Sequence, residues 1–451
     1  MESKYLKAFS DLYQVIEGRE RYIRALKGLR DIEKVYRREK NKLAKLAKAG
    51  SKSKAGSEEP GSESAGVSDI EGLFSDAFSE AHAKSAEIVR QVCQQNGATW
   101  VKFAQFLSCR PDIFPDEYIR RLQTMQDRAP SVVLGRVMPV LLRCWGDEWE
   151  KRFHRFDVVP IATASVAQVY KAQLNTGEWV AVKVRIPGVV KLFEQDAIFF
   201  KMLASVLDFW IKGVDVKQIT DQLIEMTLTE LDFTHEIHNQ MRFAMFVHHP
   251  DIRVPKLFPD YCSEEIIVTE WIDGIPLREY VENPDHSDSI ESVLKLLANS
   301  FMQQIMSFGV YHADPHPGNF LVCHDRQIAI LDYGLIASLS EQERRNFVRL
   351  ILRVMGYTQE PLDVCFKEAG FKGVNKKMLE KLSVFVTAKH QSKQTDDVAE
   401  SLTALLGQLR AFQITIPDSF VAMARVLITI GGFLDLHGYQ FSWLSAWQVM
   451  Q

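Results

Sequence analysis

The sequence has few cysteines and no pattern that would put them to structural use. Six cysteines are scattered over 451 residues. No two form a Cys-x-x-Cys pair, and none stands at a His/Cys spacing typical of a metal site. The pattern argues against a disulfide framework and against zinc, and it favours a reducing, intracellular compartment. The positions are Cys93, Cys109, Cys144, Cys262, Cys323 and Cys365.

Long hydrophobic runs are also missing. The opening residues, MESKYLKAFSDLYQV, include acidic side chains and lack the apolar stretch of a secretory signal. No run of eighteen uncharged apolar residues occurs, and the best candidate, VLITIGGFL at 426–434, is short and ends at Asp435. The sequence predicts no transmembrane helix, so any membrane contact is expected to be peripheral. The tail 436–451 has two tryptophans and either docks on the protein's own core, which we favour, or lies at a membrane surface.

Charge is balanced over the whole chain but uneven along it. The formal charge is −4, yet residues 1–56 have 16 Lys or Arg against 7 Asp or Glu, which is about +9. Apolar residues at near-helical spacing predict a basic helix over 1–49, either lying on anionic lipid or, more commonly, packed on its own protein. A Gly/Ser/Glu/Lys-rich stretch at 49–66 predicts a flexible linker. No nucleic-acid-binding motif accompanies the basic segment.

The remaining segments predict an α+β protein with two lobes. Its apolar share of 46% and charged share of 25% are ordinary for a globular chain. Helical patterns fill 70–142, and the runs 166–174 and 179–187 predict a β-hairpin around the turn NTGE. Helices are expected over 191–245 and from 341 onward, with a strand at 265–272 between them. The sheet is small and early, and a helical extension precedes it.

The stretch YHADPHPGNFLVCHDRQIAILDYG at 311–334 carries the strongest chemical signal. FLVC and IAIL read as two short strands around four polar residues, which predicts a tight hairpin. The ends of a hairpin meet, so Asn319 and Asp332 should be neighbours, with Asp314 one loop away. Carboxylate and amide oxygens are the ligands that Mg²⁺ prefers, commonly together with phosphates. The spacing therefore predicts a magnesium–phosphate site.

A lysine and an acidic helix fit the same chemistry. Lys183, in VAVKV, stands in the second strand of the early hairpin with apolar neighbours and is expected to point toward a cleft. A carboxylate should hold it, and TELDFTHEIHNQ offers Glu230, Asp232 and Glu236. Read as helix, this stretch puts Asp232 and Glu236 on one face and Glu230 on another. The alternative is a solvated acidic helix face.

The loop HADPHPGN is expected to be stiff. Pro315 restricts Asp314 to extended dihedral angles, and Pro317 fixes a second φ. A stiff loop suits a carboxylate that orients an attacking hydroxyl or water, or accepts its proton. His312 and His316 are four residues apart, but the prolines prevent a helical metal-binding pair, so His312 is interpreted as structural.

Taken together, these motifs resemble the UbiB (AarF-type) family of atypical, protein-kinase-like ATPases, whose members support ubiquinone and other prenyl-lipid metabolism. The resemblance extends from about Ile70 to Leu434, and HADPHPGN with ELDFTHE distinguishes it from ordinary protein kinases. WVKFAQ is similar to the family's KxGQ signature, with Ala104 where the signature has Gly. The implied positions are, for catalysis, Asp314, Lys183 and Glu236; for Mg²⁺, Asn319 and Asp332; and for gating and the family motifs, Lys102, Gln105, Glu230 and Asp232.

The resemblance also implies where a nucleotide binds. An alanine-rich loop replaces the glycine-rich loop of ordinary kinases, and TEWIDG at 269–274 falls where kinases connect their lobes and hold adenine through backbone groups. Alanine adds a Cβ and removes positive-φ freedom, so this loop wraps phosphates less closely. The implied nucleotide-binding residues are Ala162, Thr163, Ala164, Ser165, Lys183, Glu270 and Ile272.

The implied fold is a protein-kinase-like pair of lobes with four segments. These are a basic helix and linker (1–68), a helical extension with KFAQ that covers the cleft (69–148), a β-containing N-lobe (149–272) and a helical C-lobe (273–451). The implied function is an ATPase or small-molecule kinase that uses ATP and Mg²⁺, with a lipid or quinone precursor and prenyl-lipid pathway proteins as partners. The alternatives are a nucleotide-gated pseudokinase scaffold and a true protein kinase, which the alanine-rich loop and the extension disfavour.

Overall fold

The computed structural model describes most of the chain, in two compact units. The described residues are 19–53, 78–108, 114–123, 125, 131–210, 215–392, 398–412, 414–439 and 441. The first unit comprises Met1–Pro130, Ala164–Val166 and Gly188–Leu228, and the second comprises Ser131–Thr163, Ala167–Pro187 and Thr229–Gln451.

Helices dominate the described residues, and short strands are concentrated in the second unit. The α-helices are α1 (Arg19–Ser53), α2 (Ser79–Asn96), α3 (Ala98–Ser108), α4 (Asp116–Gln123), α5 (Leu134–Trp145), α6 (Val189–Trp210), α7 (Val216–Leu231), α8 (Phe233–Phe246), α9 (Leu277–Glu282), α10 (Ser287–Gln303), α11 (Glu341–Val354), α12 (Leu362–Glu368), α13 (Lys376–Ser392), α14 (Val398–Ala411) and α15 (Asp418–Leu436). The strands are β1 (Phe153–Phe156), β2 (Ala162–Thr163), β3 (Ala167–Leu174), β4 (Trp179–Arg185), β5 (Ile252–Arg253), β6 (Ile266–Glu270), β7 (Gly274–Pro276), β8 (Val310–His312), β9 (Phe320–Cys323), β10 (Ile328–Ile330) and β11 (Ile336–Ser338).

The first unit is a helical assembly around an aromatic core. Trp100 on α3 packs on Phe200 of α6 with ring centroids 4.8 Å apart, and Tyr22 of α1 stacks on Phe199 at 4.6 Å. A fully buried carboxylate, Asp196, accepts hydrogen bonds from Arg21 (2.6 Å) and from the Tyr22 hydroxyl (3.0 Å). Because a buried charge is costly unless it is paired, these bonds tie α1 firmly to α6.

The second unit begins with a five-stranded antiparallel sheet. The order is β1-β3-β4-β6, and β2 pairs with β3. The predicted hairpin is confirmed, because β3 and β4 pair from Ala167 with Arg185 to Gln173 with Trp179 around a turn in which Gly177 has φ 102°. Alternate residues of β4 face the core, which the helix α5 also joins.

The rest of the second unit is mostly helical and has its own core. One small sheet has the order β5-β10-β9-β7, and a second joins β8 to β11. The second predicted hairpin is confirmed as β9 and β10, with Ile330 opposite Phe320. Its core runs from Phe243 to Leu434 and takes in side chains of α8 through α15. A sheet-containing lobe with a mostly helical remainder is the α+β fold that the sequence predicted.

A cluster of charges joins the sheet to the start of α8. Glu265 is 6% exposed and accepts two hydrogen bonds from Arg143, at 2.7 and 2.8 Å, and one from Arg185 at 2.7 Å. Arg185 also donates to the carbonyl of Leu231 (2.5 Å), the last residue of α7. We call Arg143, Arg185 and Glu265 the Arg185 cluster; it holds the end of β4 against the α7–α8 junction.

Several elements differ from the sequence-based expectation. The basic helix α1 continues to Ser53, into the segment expected as a linker, and residues 1–18 and 54–77 lie outside the described part of the chain. The short strands β1, β7, β8 and β11 were not predicted, because three or four residues carry too little pattern to stand out. The tail beyond Phe441 also lies outside the described residues.

The helix α15 is longer than the apolar run seen in the sequence. Among the described helices it alone has the length and composition to cross a membrane, with a mean hydropathy of 1.6 over an 18-residue window. Half of that window is buried inside the protein, including Phe420, Leu427 and Leu434. Core helices of globular proteins meet the same criterion, so this finding is weak evidence for a membrane span.

Candidate functional site

Lys183 lies at the centre of a cluster of charges in the second unit. It alternates with the buried Val182 and Val184 along β4, so its side chain leaves the sheet on the face opposite those valines. Its ammonium donates to both carboxylate oxygens of Glu236 on α8, at 2.7 and 2.8 Å. Glu236 is 8% exposed. Of the three carboxylates that the sequence left open, Glu236 is the one that contacts Lys183.

Asp332 completes this cluster from the hairpin side. Its Oδ2 lies 3.1 Å from the Lys183 ammonium, and its Oδ1 accepts a hydrogen bond from the backbone N–H of Gly334 at 2.9 Å. Burial disfavours the ammonium charge, but the carboxylates of Asp332 and Glu236 outweigh it and raise the pKa of Lys183. We call Lys183, Glu236 and Asp332 the Lys183 cluster. In this cluster one cation contacts two carboxylates.

The acidic stretch around residue 232 is two helices and not one. α7 ends at Leu231 and α8 begins at Phe233, with Asp232 between them in an extended conformation. The Asp232 carboxylate caps α8 by accepting hydrogen bonds from the N–H (2.9 Å) and the hydroxyl (2.7 Å) of Thr234. The expectation that Asp232 and Glu236 share a helix face is therefore wrong, since the capping side chain ends one helix and starts the next. Glu230 lies in the last turn of α7.

The loop HADPHPGN brings Asp314 and Asn319 together. The Asn319 amide donates to the Asp314 carboxylate and to the Asp314 carbonyl, both at 3.1 Å. The buried His312 donates from Nε2 to the carbonyl of Asp332 (2.5 Å) and accepts the N–H of Asp314 at Nδ1 (3.3 Å). His312 thus has a structural contact that links this loop to the Asp-Tyr-Gly segment.

The two ends of the β9–β10 hairpin meet as expected. The N–H of Leu331 donates to the carbonyl of Asn319 at 2.9 Å, which makes Asn319 and Asp332 neighbours across the hairpin. An amide that donates through Nδ2 keeps its oxygen available as an acceptor. Asn319 and Asp332 therefore offer an amide oxygen and a carboxylate within one small region.

Contacts from α8 to the Asp-Tyr-Gly segment were not predicted. Asn239 donates from Nδ2 to the carbonyl of Tyr333 (3.0 Å), and Phe243 packs edge-on against the Tyr333 ring at 5.5 Å. With Glu236 these residues are spaced i, i+3 and i+7, so one face of α8 contacts the segment at Tyr333. The helical spacing of Glu236, Asn239 and Phe243 was a usable signal, but nothing in the sequence names their target.

The alanine-rich loop and the connecting segment have different surroundings. Ala162 and Thr163 form β2, which pairs with Val169 and Gln168 of β3, while Ala164 and Ser165 are assigned to the first unit. The two predicted nucleotide-binding residues of the connecting segment, Glu270 and Ile272, differ in their contacts. The side chain of Glu270 pairs with Arg253 at 2.5 Å.

Ile272 has unused backbone groups. Its side chain is 5% exposed and packs beside Cys323 and Ala329. Within the described part of the chain, neither its N–H nor its C=O is hydrogen-bonded. Adenine recognition through a kinase-like connection needs such a donor and acceptor, so the backbone of Ile272 is the better candidate of the two predicted positions.

The KFAQ signature lies on α3 in the first unit. Lys102 and Gln105 are partly exposed there. Ala104, which stands where the signature has Gly, is fully buried in the core beside Trp100 and Phe200. Because α3 is a regular helix, this position does not require the positive φ that favours glycine. The alanine is therefore accommodated without backbone strain.

Comparisons with known proteins place the chain in a family. Residues 124–362 match the model of the ABC1 atypical kinase-like domain. The chain is 29% identical over 357 residues to Protein ACTIVITY OF BC1 COMPLEX KINASE 1, chloroplastic, of Arabidopsis thaliana, covering 77% of this chain and 52% of that protein. It is 31% identical over 284 residues to an ABC1 family protein of Schizosaccharomyces pombe, covering 61% of this chain and 53% of that protein. The chain spans about half the length of each of these two relatives.

A solved structure is similar over most of the chain. The Rv3197–erythromycin complex from Mycobacterium tuberculosis matches with a TM-score of 0.57 and 25% identity, covering 82% of this chain and 96% of that one. The family match covers more than half of the sequence and includes the Lys183 cluster and the loop with Asp314. The chain therefore belongs to the ABC1 family of atypical, UbiB-type kinases.

Proposed function

We propose that this protein binds MgATP and transfers the γ-phosphoryl group to water or to a small molecule. The observation that carries the proposal is the Lys183 cluster, in which a lysine from the sheet contacts a carboxylate of α8 and a carboxylate at the end of the β9–β10 hairpin. Phosphoryl transfer needs phosphates held, their charge neutralised and a nucleophile oriented. The cluster and the adjoining loop offer a residue for each task.

Each residue has a separate role in this proposal. Lys183 pairs with the α- and β-phosphates while Glu236 fixes its position. Asp314 orients the attacking hydroxyl or water and accepts its proton, from a loop whose proline keeps it extended. The backbone of Ile272 holds adenine, and β2 with Ala164 and Ser165 covers the phosphates.

The oxygen donors of the site fit Mg²⁺. Within the described ranges, no three His, Cys, Asp or Glu side chains gather at metal-binding distance. Asn319 and Asp332 are an amide and a carboxylate, and Mg²⁺ is commonly held by one or two such groups together with phosphate oxygens. When bound there, Mg²⁺ would neutralise phosphate charge; the Asp332 carboxylate is 41% exposed and is accessible to it.

The alanine-rich loop favours a small acceptor over a protein substrate. The loop Ala162–Ser165 has alanine where ordinary kinases have glycine, which limits how closely its backbone approaches phosphates. We further propose that Lys102 and Gln105 of KFAQ, with Glu230 and Asp232, have the gating role that the family resemblance implies. By analogy with the family, the acceptor or effector is a lipid or quinone precursor of ubiquinone or other prenyl-lipid metabolism.

The cellular setting is also a proposal. The relative from Arabidopsis thaliana is chloroplastic by its name. The five described cysteines are free thiols, which suits a reducing compartment. We propose a peripheral contact with membranes, through which a lipid substrate or effector would reach the site.

Phosphate release from MgATP tests the proposal. We expect release by the purified protein, loss of release in Asp314→Asn, and normal release in the control Asp325→Asn, which changes an exposed carboxylate in the turn of the same hairpin. Assays with anionic and with zwitterionic vesicles test the lipid effector. No release, together with MgATP-dependent heat stability, would overturn turnover in favour of a scaffold; preferential transfer to proteins would favour a true protein kinase.

A further inference from the structure

A single charged residue interrupts the apolar helix α15. Between Asp418 and Asp435 the helix has sixteen residues, of which only Arg425 is charged. Its neighbours Ala424 and Val426 are fully buried in the core of the second unit. Arg425 itself is partly buried, and the part of its guanidinium that leaves water needs hydrogen bonds to compensate for the lost hydration. The position therefore calls for a specific partner.

One partner of Arg425 is the loop that carries Asp314. Arg425 donates from Nη2 to the carbonyl of Ala313 at 2.5 Å. Ala313 is 1% exposed, and its N–H donates to the carbonyl of Leu335 at 2.9 Å. Both backbone polar groups of the residue before Asp314 are thus satisfied, one of them by a side chain 112 residues further along.

The hydrogen bond from Arg425 restrains the peptide plane between Ala313 and Asp314. The Ala313 carbonyl and the Asp314 N–H belong to the same planar unit, and they point in opposite directions. Arg425 holds the carbonyl, and Nδ1 of His312 accepts the N–H. A plane held at both edges cannot rotate, so the φ of Asp314 is set by these two contacts while Pro315 restricts its ψ.

We propose that Arg425 is a positioning residue, which aims the Asp314 carboxylate by fixing the Ala313–Asp314 peptide plane. The expected loss of kcat rests on the proposed function. The expected change in the mobility of the Asp314 loop does not. Residue 425 lies outside the 124–362 stretch matched by the family model, so a helix beyond the matched domain orients the catalytic loop. Arg425 does not itself contact the reacting atoms.

The test compares Arg425→Gln with a matched control. Arg344→Gln also removes a guanidinium that donates to a backbone carbonyl, that of Ser307, in the same helical region. We expect Arg425→Gln to lower kcat for phosphate release at least tenfold while the Kd for MgADP changes less than twofold. The control should keep kcat within twofold. Millimolar guanidinium should partly restore turnover in Arg425→Ala, which leaves a space of the right shape.

Hydrogen–deuterium exchange of 311–319 gives a readout that does not need turnover. The amides of this loop should exchange at least fivefold faster in Arg425→Gln than in the wild type, and no faster in Arg344→Gln. A wild type without phosphate release would refute the proposed function alone, because exchange still tests the loop. If Arg425→Gln fails to fold, Arg425→Lys, which retains a cation and donors, is measured instead. Unchanged exchange with unchanged kcat, or equal losses of kcat and nucleotide affinity, would overturn the positioning role.

Discussion

Two charged clusters on the same strand differ in composition and in surroundings. Lys183 and Arg185 are two residues apart on β4 and therefore on one face of it. The Lys183 cluster has one cation and two carboxylates, and the Asp332 carboxylate is 41% exposed. The Arg185 cluster has two cations around one carboxylate, and the Glu265 carboxylate is only 8% exposed.

In our proposal the Lys183 cluster binds a ligand, whereas the Arg185 cluster has a structural role. In the Arg185 cluster three hydrogen bonds from guanidinium groups already satisfy Glu265, so nothing further is needed. In the Lys183 cluster negative charge is in excess, which leaves room for another cation. Excess negative charge and partial exposure are the reasons for choosing the Lys183 cluster over the Arg185 cluster as the candidate site.

The largest expected effect concerns the Lys183 cluster. Lys183→Ala and Glu236→Ala should each weaken MgATP binding about a hundredfold, which is about 2.7 kcal/mol. The double variant should lose little more than either single one, with a coupling energy of about 1–3 kcal/mol, because the two side chains act together. Calorimetric Kd values check this. Lys171→Ala, a strand lysine that lies over Trp179 and Trp271, is the control.

Additive losses would contradict the proposed joint role of Lys183 and Glu236. They would mean that Lys183 and Glu236 contribute separately to binding. Omitting Mg²⁺ should also reduce nucleotide binding in the wild type. That reduction should be smaller in Asp332→Asn, because the variant has already lost one proposed Mg²⁺ ligand.

The second effect is on stability. Glu265→Ala should lower the free energy of unfolding by about 2 kcal/mol, since it leaves Arg185 without its carboxylate. The loss stays below that of a fully buried pair because Arg143 is 56% exposed and can turn to water. Urea unfolding measures the change. A variant as stable as the wild type would show that the Arg185 cluster does not hold the fold.

The two clusters should also respond differently to acid. Burial raises the pKa of Glu265, but hydrogen bonds from Arg143 and Arg185 outweigh it and hold that pKa below the ordinary value. A lowered folded-state pKa contributes stability above the unfolded-state pKa of about 4.3, and this contribution is lost as the pH falls through the folded-state pKa. For Glu236, burial and Asp332 outweigh Lys183 and raise the pKa, so its contribution has the opposite sign.

Unfolding measured between pH 7 and pH 3 tests that contrast. Below the ordinary glutamate pKa, the free energy of unfolding should fall less steeply with pH in Glu265→Gln than in the wild type, because the titrating group is gone. Glu236→Gln should not reduce this slope. Equal pH profiles for the wild type and Glu265→Gln would contradict the assigned direction.

The smallest effect is expected at Glu270. Its carboxylate pairs with Arg253, and both side chains are about one-third exposed, so Glu270→Gln should change the unfolding free energy by less than about 1 kcal/mol. The Kd for MgATP should stay within twofold, because adenine contacts in our proposal come from backbone groups. A tenfold weaker Kd would give the Glu270 side chain a direct role.

Local pattern predicted most of what the site needs. Both hairpins, and hence the neighbourhood of Asn319 and Asp332, follow from period-two alternation and polar turns. The sequence also predicted that Lys183 pairs with one of three acidic residues. Local pattern alone did not identify that residue, because Asp232 caps the next helix and this changes which carboxylates share a face. The family resemblance implied Glu236, which is the carboxylate that contacts Lys183.

Contacts between distant segments were out of reach. Asn239 reaches Tyr333 across 94 residues and Arg425 reaches Ala313 across 112, and hydrogen bonds of this kind leave no periodic trace. Arg425 is visible in the sequence as a single charged residue inside an apolar run. The apolar run considered as a membrane span, 426–434, begins at the residue after Arg425 and does not include it.

The continuous core of the helical region bears on how the protein can be divided. The core joins Phe243 near the sheet to Leu434 on α15 without interruption. A chain cut at residue 362, where the family match ends, would keep every proposed catalytic side chain and yet expose the face on which α15 packs. For expression, the working unit of this protein therefore extends at least to Leu436, some seventy residues past the boundary that sequence similarity suggests.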